Sequence, residues 1–380
     1  MRLASAFLTR DRFSKSQTGK LKVHSCRAKR ILVLGGAGYL GSVLVGQLLR
    51  RGFAVRILDA FLFGDQSLNE FKSHPSVEIF HGDVRNSELA AQSMKNCDAV
   101  THLAAVVGDS ACEEHKALAI EVNRNATRML ADAARRCGVA KFIFASSCSV
   151  YGASANCLDE SSPLNPFSVY AQTKLDSENI LLNMKRQDFA PTVLRLGTLF
   201  GLSPRMRFDL IVNLFVAQAA SVGHITIWNE EQWRPFLHVQ DAARAFIACL
   251  DAAPASVSGQ IFNVGSPSLN LQIGSLGEQI AHFVRGTRLK TIQTEDRRNY
   301  RVSFEKIERA MEFRCERTLA FGIQEIYASI QRGRIADFAT ERFNNQIAMR
   351  RLASSTSRNI LPLAQAAILP TIHENLSVGD

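Results

Sequence analysis

The sequence predicts an α/β fold: a parallel, doubly wound sheet with helices on both faces, followed by a smaller C-terminal lobe. Short, continuously apolar runs alternate with longer helical stretches in the first half of the 380-residue chain. This alternation is typical of buried parallel strands joined by helices. A glycine-rich turn also stands between the first apolar run and the first helical stretch, which favours the same class of fold.

The predicted elements begin at residue 29. The first strand covers Arg30–Leu34, and a helix over Tyr39–Arg51 follows it. Further strands are predicted at Ala54–Leu58, Val77–His81, Ala99–Leu103, Lys141–Ala145 and Thr192–Leu196. Helices that separate several of them are predicted at Cys112–Cys137 and Val169–Lys185. Residues 29–197 are therefore assigned to one domain built on the sheet.

The pattern is less regular after residue 197. Helices are predicted around Phe208–Ala220, Val239–Ala252 and Ile273–Arg285. Residues 198–343 are interpreted as a substrate-binding lobe interleaved with the last strands of the sheet. Residues 344–380 are rich in Ser and Arg and weakly patterned, which predicts a mostly disordered tail.

Most of the net charge of +10 lies at the N-terminus. Residues 1–30 hold nine Lys or Arg and one acid, Asp11, which leaves +2 for the rest of the chain. A nearly neutral body gives little support for nucleic-acid binding. No apolar run reaches the roughly 18 residues of a membrane span. Residues 1–28 are interpreted as a disordered extension or the result of a start codon placed too early, with an organelle transit peptide as the alternative.

The eight cysteines are scattered, without a CxxC pair and without histidines at the spacing of a zinc site. This pattern predicts reduced thiols, no metal centre and a cytoplasmic location.

Gly35, Gly38 and Gly41 form a triplet at spacing three and three. Glycine permits the tight turn and removes the Cβ that would block a pyrophosphate, and the last glycine lets helix and strand approach closely. The helix that begins with Tyr39 and Leu40 offers free N–H groups to phosphate oxygens. The triplet thus predicts a dinucleotide site, and a tight turn without a ligand is the alternative.

Asp59 ends the second strand, 18 residues after Gly41. A carboxylate at this point accepts hydrogen bonds from the adenosine ribose and repels a 2′-phosphate, which favours NAD over NADP. Arg56, inside the same strand, is a weak counter-argument for NADP.

Two further strand ends are expected to contact the cofactor. Asp83 and Val84 follow the third strand, at the adenine edge. Leu103, Ala104 and Ala105 follow the fourth strand, where small side chains let the cofactor lie against the backbone. Ordinary strand-end turns are the alternative for both.

Tyr170 and Lys174 are four residues apart in a predicted helix, so their side chains share one face. An ammonium near a phenol stabilises the phenolate and lowers its pKa from about 10 towards neutrality, which suits a base that deprotonates a hydroxyl. Such a pair alone is most often surface packing. Here Ser147 also stands at the end of the fifth strand, four residues before Tyr151-Gly152.

With these three motifs in order, the sequence resembles the extended short-chain dehydrogenases/reductases, in particular nucleotide-sugar epimerases and dehydratases with NAD on a Rossmann-type sheet. The resemblance covers roughly residues 29–340. It implies that Tyr170 is the catalytic base, that Lys174 is its partner and binds the nicotinamide ribose, and that Ser147 fixes the substrate oxygen. It also implies that Asn123 is a structural residue beside the cofactor.

The resemblance extends to the substrate lobe. Arg234, in the segment Trp233 to Asp241, matches the arginine that binds the nucleotide diphosphate, with a solvated loop arginine as the alternative. Arg207 and Arg298 supply further positive charge for the phosphates. Thr198 departs from the phosphate-binding Asn that many epimerases carry at this position.

The two residues after Ser147 discriminate between the reactions of the relatives. The 4,6-dehydratases place Asp-Glu there and the sugar-acid decarboxylases commonly a Glu, whereas this chain has Cys148 and Ser149. The resemblance therefore favours NAD-dependent epimerisation, by a homodimer, over elimination. An NAD(P)H-dependent keto-sugar reductase is one alternative, although Cys148 is out of register with the acid of GDP-fucose-synthase-like reductases. A non-catalytic NAD-binding regulatory protein is the other, and the presence of Tyr170 and Lys174 argues against it.

Overall fold

The computed structural model describes residues 29–335 and 337–356, with side chains as far as residue 351. The extension predicted over residues 1–28 and the part of the predicted tail from residue 357 onward lie outside these ranges. Within them, none of the helices combines the length and the apolar character that crossing a membrane requires.

The strands of the described residues are β1 (Arg30–Leu34), β2 (Ala54–Asp59), β3 (Val77–His81), β4 (Ala99–His102), β5 (Lys141–Ser147), β6 (Ala153–Leu158), β7 (Ala190–Leu196), β8 (Thr198–Phe200), β9 (His224–Trp228), β10 (Trp233–His238), β11 (Gln260–Val264), β12 (Asn270–Gln272), β13 (Arg288–Ile292) and β14 (Asn299–Val302). The α-helices are α1 (Tyr39–Arg50), α2 (Ser87–Met94), α3 (Asp109–Glu114), α4 (Lys116–Ala119), α5 (Ala126–Arg136), α6 (Val169–Asn183), α7 (Ile211–Val222), α8 (Val239–Asp251), α9 (Pro254–Val257), α10 (Ile273–Phe283), α11 (Glu305–Met311), α12 (Leu319–Gln331) and α13 (Asn345–Thr356).

Seven parallel strands form the central sheet in the order β3-β2-β1-β4-β5-β7-β11. The chain moves outward from β1 to β3 and then crosses to the other side of β1 with β4. The order therefore reverses between β1 and β4, and in open α/β sheets the ligand crevice lies at such a reversal. The predicted Rossmann-type doubly wound sheet is confirmed.

Side chains of β1 alternate between two cores, one on each face of the sheet. Ile31 and Val33 belong to the core that contains α1 and α8, whereas Leu32 and Leu34 belong to the core that contains α2 and α5. All four are at most 1% exposed. Burial of the strand on both faces accounts for its continuously apolar sequence.

Smaller sheets are built from β6 and from strands of the second half of the chain. They pair β12 with β10 and β8, β13 with β9, and β14 with β6. Strand β11 returns from this lobe to the central sheet, where it pairs with β7. The lobe is thus interleaved with the sheet and held against its edge.

The single helix predicted over residues 112–137 is wrong in detail. The structure has α3, α4, a π-helical turn at Ile120–Asn125 and then α5. The wide turn leaves the carbonyl oxygen of Asn123 to accept hydrogen bonds from the hydroxyls of Thr127 (2.6 Å) and Ser177 (2.8 Å). Such π-turns are frequent at functional sites.

The first part of the predicted disordered tail is also different, because residues 345–356 form α13. Met349 is 6% exposed and packs in one cluster with Ala111 and Cys112 of α3. Arg350 pairs with Glu114, at 2.8 Å from Nε to Oε2. Contacts between elements far apart in sequence therefore order a segment whose own pattern is weak.

Candidate active site

The two central strands, β1 and β4, end side by side. Gly35 follows β1 with φ of 85°, and a Cβ placed on it would lie 2.7 Å from the backbone nitrogen of Ala104, which follows β4. Both the backbone angle and the close approach require glycine. Leu103 and Ala104 are predicted to line the cofactor. The backbone N–H of each donates a hydrogen bond of 2.9 Å to the carbonyl of Leu34.

The N-terminus of α1 faces this crevice. Among the described residues no side chain caps it, so first-turn N–H groups remain available to an anionic ligand. A Cβ on Gly41 would lie 2.1 Å from the carbonyl oxygen of Gly35, whereas one on Gly38 would lie 3.3 Å from it. The side chain of Leu40 is buried, and the Tyr39 hydroxyl donates 2.6 Å away to a carbonyl of the substrate lobe. Tyr39 and Leu40 therefore offer backbone groups to a cofactor.

The carboxylate of Asp59 is fixed at the end of β2. It accepts the N–H of Ala37, in the glycine-rich turn, at 2.9 Å and the N–H of Phe61 at 2.8 Å. Burial raises the pKa of Asp59, and these two hydrogen bonds oppose that rise. A carboxylate has about four acceptor positions, so capacity remains for two ribose hydroxyls.

Arg56 points away from the crevice. Its guanidinium binds Glu78 (2.6 Å) and the carbonyls of Ser93 (2.8 Å) and Lys95 (2.7 Å). With these donors used, the weak argument for NADP is removed.

Asp83 and Val84 follow β3, as the sequence places them. Val84 is 6% exposed and lies in the core beneath the sheet. Asp83 forms an ion pair with Arg85 (Nη2–Oδ2 2.6 Å). Burial acts to raise the pKa of the Asp83 carboxyl, but the contact with Arg85 outweighs it and the pKa is lowered. Contacts of Asp83, Val84 and Ala105 with a cofactor stay predictions.

Asn123 is 1% exposed, and its amide is used within the protein. The oxygen accepts the N–H of Val106 (2.8 Å), and the nitrogen donates to the Val106 carbonyl (2.9 Å) and the Thr173 hydroxyl (3.2 Å). Asn123 therefore ties the segment after β4 to α6. A contact of Asn123 with the cofactor itself stays a prediction.

Ser147, Tyr170 and Lys174 lie together at the carboxyl end of β5 and the first turns of α6. Against the rise caused by burial, the nearby Ser147 hydroxyl acts to lower the pKa of the Tyr170 phenol. Lys174 is 2% exposed, and its Nζ donates to the carbonyl of Ala145 at 2.8 Å and lies 5.7 Å from the centre of the Tyr170 ring. The predicted trio therefore shares one site.

The sequence predicts a lowered pKa for Tyr170, whereas in the cofactor-free chain this pKa is raised. Burial raises the pKa of Tyr170, Cys112 and Asp109 raise it further, and Arg207 opposes the rise. Burial also lowers the pKa of Lys174 to about 8. A phenolate at Tyr170 therefore requires additional positive charge at the site.

The sequence reasoning missed a buried charged network beneath Ser147. Glu178 and Arg195 are paired at 2.7 Å, with their side chains 1% and 2% exposed. Glu178 also accepts the hydroxyl of Ser146, and Arg195 donates to the Tyr151 hydroxyl at 3.0 Å. The signal was present in the sequence, since Arg195 interrupts an apolar strand and Glu178 continues the four-residue spacing of the helix face.

Cys148 and Ser149 are both buried, Cys148 completely. The Cys148 thiol donates to the carbonyl of Arg195 at 3.3 Å, and burial raises its pKa. It is therefore a poor proton donor to a ligand in the crevice.

Two of the predicted diphosphate-binding arginines converge on one carboxylate. Arg234 is 6% exposed and pairs with Asp296 at 3.1 Å. Arg298 binds the same carboxylate at 2.6 Å and also pairs with Asp109 of α3. The cluster joins the substrate lobe to the sheet domain.

Arg207 and Thr198, the other two predicted substrate-binding residues, have different partners from Arg234 and Arg298. Arg207 forms a bidentate pair with Asp209, at 3.0 and 2.7 Å. Thr198 begins β8, opposite Phe236 of β10. Substrate contacts of both residues stay predictions.

Known proteins share this architecture. A family model described as the NAD dependent epimerase/dehydratase family matches residues 31–265. The UDP-N-acetyl-alpha-D-glucosaminuronate decarboxylase of Bacillus cytotoxicus is 30% identical over 248 residues, which is 63% of this chain and 75% of that protein. The UDP-glucose 4-epimerase of Lactobacillus helveticus is 27% identical over 260 residues, 62% of this chain and 76% of that protein.

A solved structure of MoeE5 in complex with UDP-glucuronic acid and NAD superposes with a TM-score of 0.71 and 25% identity, covering 80% of this chain and 99% of that one. The glycine turn, the open N-terminus of α1 and Asp59 fit the same cofactor. The predicted family resemblance and the predicted cofactor, NAD, are confirmed.

Proposed function

The chain belongs to the NAD-dependent epimerase/dehydratase family, and from that premise we propose that it epimerises a nucleotide-linked sugar through a transient keto-sugar. The two relatives and the MoeE5 complex are named for reactions or ligands of UDP-sugars, which supports a substrate of that class. Their reactions differ from one another, so the choice of reaction depends on the site.

One observation carries the choice of epimerisation. Elimination of water requires an acid and a base besides the hydride-transfer machinery. The positions that follow Ser147 hold Cys148 and Ser149, both buried and neither a carboxylate. The thiol of Cys148, raised in pKa by burial, does not replace one.

The residues of the trio then have separate tasks. Tyr170 takes the proton of the sugar hydroxyl that is oxidised and returns it when the keto group is reduced. Ser147, whose hydroxyl is close enough to the phenol to act on its pKa, holds the same oxygen. Bound NAD supplies the hydride acceptor and, in reverse, the hydride donor. Lys174 adds positive charge next to the phenol and binds the nicotinamide ribose.

Inversion requires that the keto-sugar present its opposite face before the hydride returns. The diphosphate must stay anchored while the sugar turns, and Arg234 and Arg298 are the proposed anchors. The cofactor is regenerated in each cycle, so it need not leave the site. Assembly as a homodimer and a cytoplasmic location stay predictions.

The test is incubation of the purified protein with UDP-glucose, dTDP-glucose and GDP-mannose, with and without added NAD, followed by NMR. We expect one of them to give a sugar inverted at a single carbon, with no NAD added. Loss of water from the sugar would contradict the proposal. A product formed only with added NADH or NADPH would support the reductase instead.

A further inference from the structure

Asp109 lies close to the proposed active site but has no role in the proposed reaction. It is the first residue of α3, just after β4 and the crevice. Its Oδ1 accepts the hydroxyl of Ser168 at 2.5 Å, and its Oδ2 pairs with Arg298. The carboxylate thus joins the sheet domain to the substrate lobe across the crevice.

This carboxylate lies on the same side as the catalytic base. Ser168 is the residue that caps α6, two positions before Tyr170. The negative charge of Asp109 is also close enough to contribute, after burial and Cys112, to the raised pKa of Tyr170. Asp109 is therefore placed between the diphosphate-binding cluster and the base, where the sugar of a bound nucleotide sugar has to lie.

Three arginines of the substrate lobe are paired with carboxylates. Arg234 and Arg298 face Asp296 and Asp109, and Arg207 faces Asp209 in its own pair. A bound diphosphate accepts hydrogen bonds from Arg298 and Arg234. Arg298 then leaves its ion pair with Asp109. The freed carboxylate can accept sugar hydroxyls, whereas a second carboxylate beside it would be repelled.

Resting on the proposed function, we propose that Asp109 is a specificity-determining residue that restricts the substrate to nucleotide sugars without a carboxylate. Specificity of this kind comes from a repulsive element as much as from attractive contacts. This preference would distinguish the chain from relatives that bind a uronic acid, such as MoeE5 in its complex with UDP-glucuronic acid.

The test compares binding of UDP-glucose and UDP-glucuronic acid to the NAD-loaded protein by calorimetry, since the two ligands differ only at C6. We expect the wild type to bind UDP-glucose about 10- to 30-fold more tightly, because two like charges close together near a protein surface repel each other. Asp109→Asn keeps the size of the side chain and should bring this ratio close to one, mainly by tighter binding of UDP-glucuronic acid.

Glu113→Gln is the matched control, because Glu113 is an exposed acid of the same helix, paired with Lys116. It should leave the ratio unchanged, and the melting temperature of each variant reports its folding. A wild type that prefers UDP-glucuronic acid, or an Asp109→Asn ratio equal to that of the wild type, would overturn this inference alone. Failure to bind either ligand would contradict the inference together with a UDP-sugar substrate.

Discussion

Glu178 and Arg195 form an ion pair that is almost completely buried, with a 2.7 Å contact between Arg195 Nη2 and Glu178 Oε2. Glu178 lies one helical turn beyond Lys174 on α6, and Arg195 lies on β7 next to β5, the strand that ends at Ser147. Through Ser146 and Tyr151 the pair also holds the residues on either side of Ser147 and Cys148. The pair therefore ties α6 to β7 next to the predicted catalytic residues.

Removal of one partner of this ion pair should destabilise the folded protein. Glu178→Gln leaves the Arg195 charge buried without its counter-ion, and we expect the free energy of unfolding to fall by about 3–5 kcal/mol. Urea unfolding monitored by circular dichroism measures it. Glu305→Gln is the control, since it removes an exposed helix pair with Arg309 and should change little. Equal effects of the two substitutions would show that the buried pair has no special importance.

The buried lysine predicts a pH dependence of stability. Burial lowers the pKa of Lys174 to about 8 in the cofactor-free protein, whereas the unfolded chain has a value of about 10.4. Between these values the unfolded state binds more protons, so this group makes the folded state more stable as pH rises. The wild type should therefore gain stability relative to Lys174→Met between pH 8 and 10. A constant difference across that range would mean that burial does not perturb this ammonium.

Cofactor choice should depend on Asp59. Asp59→Ala removes acceptors for the ribose hydroxyls, and we expect NAD to bind about 10- to 100-fold more weakly while the preference over NADP narrows. Fluorescence titration of the stripped protein with both cofactors measures this. Asp65→Ala, in the loop that follows, removes only an exposed pair with Lys72 and is the control. Tighter binding of NADP than NAD by the wild type would refute the role of Asp59.

Cys148 should be dispensable as an acid. Its thiol is buried and donates to a backbone carbonyl. We expect Cys148→Ser to keep at least roughly a tenth of the wild-type rate, because loss of a general acid would cost about 10²–10⁴-fold. The steady-state rate with the substrate identified by NMR is the measurement. A fall as large as that range would favour the reductase mechanism.

The parts of the fold that local sequence patterns dictate were predictable. Strand β3 begins and ends at the predicted residues, and the glycine turn, Asp59 and the Tyr170–Lys174 helix stand where their spacing places them. These features depend on residues close together in the chain, so their patterns are visible without a structure.

The features that were missed depend on contacts between distant segments. The carbonyl of Asn123, in the π-turn, accepts the hydroxyl of Ser177 on α6, 54 residues later in the chain. Helix α13 is ordered by α3, more than two hundred residues earlier in the sequence. The pairing of Arg298 with Asp109 likewise joins two lobes. No local pattern encodes such pairs, so a single sequence does not reveal them.

The most direct test of the account is Tyr170→Phe, since Tyr170 is proposed to carry the proton in both halves of the reaction. The substitution removes one oxygen, so the melting temperature and the content of bound NAD should stay at wild-type values while turnover falls by about 10²–10⁴-fold. Tyr327→Phe, on α12 against Phe283, is the matched control and should leave turnover unchanged. Near-normal turnover of Tyr170→Phe on the identified nucleotide sugar would contradict the proposed mechanism.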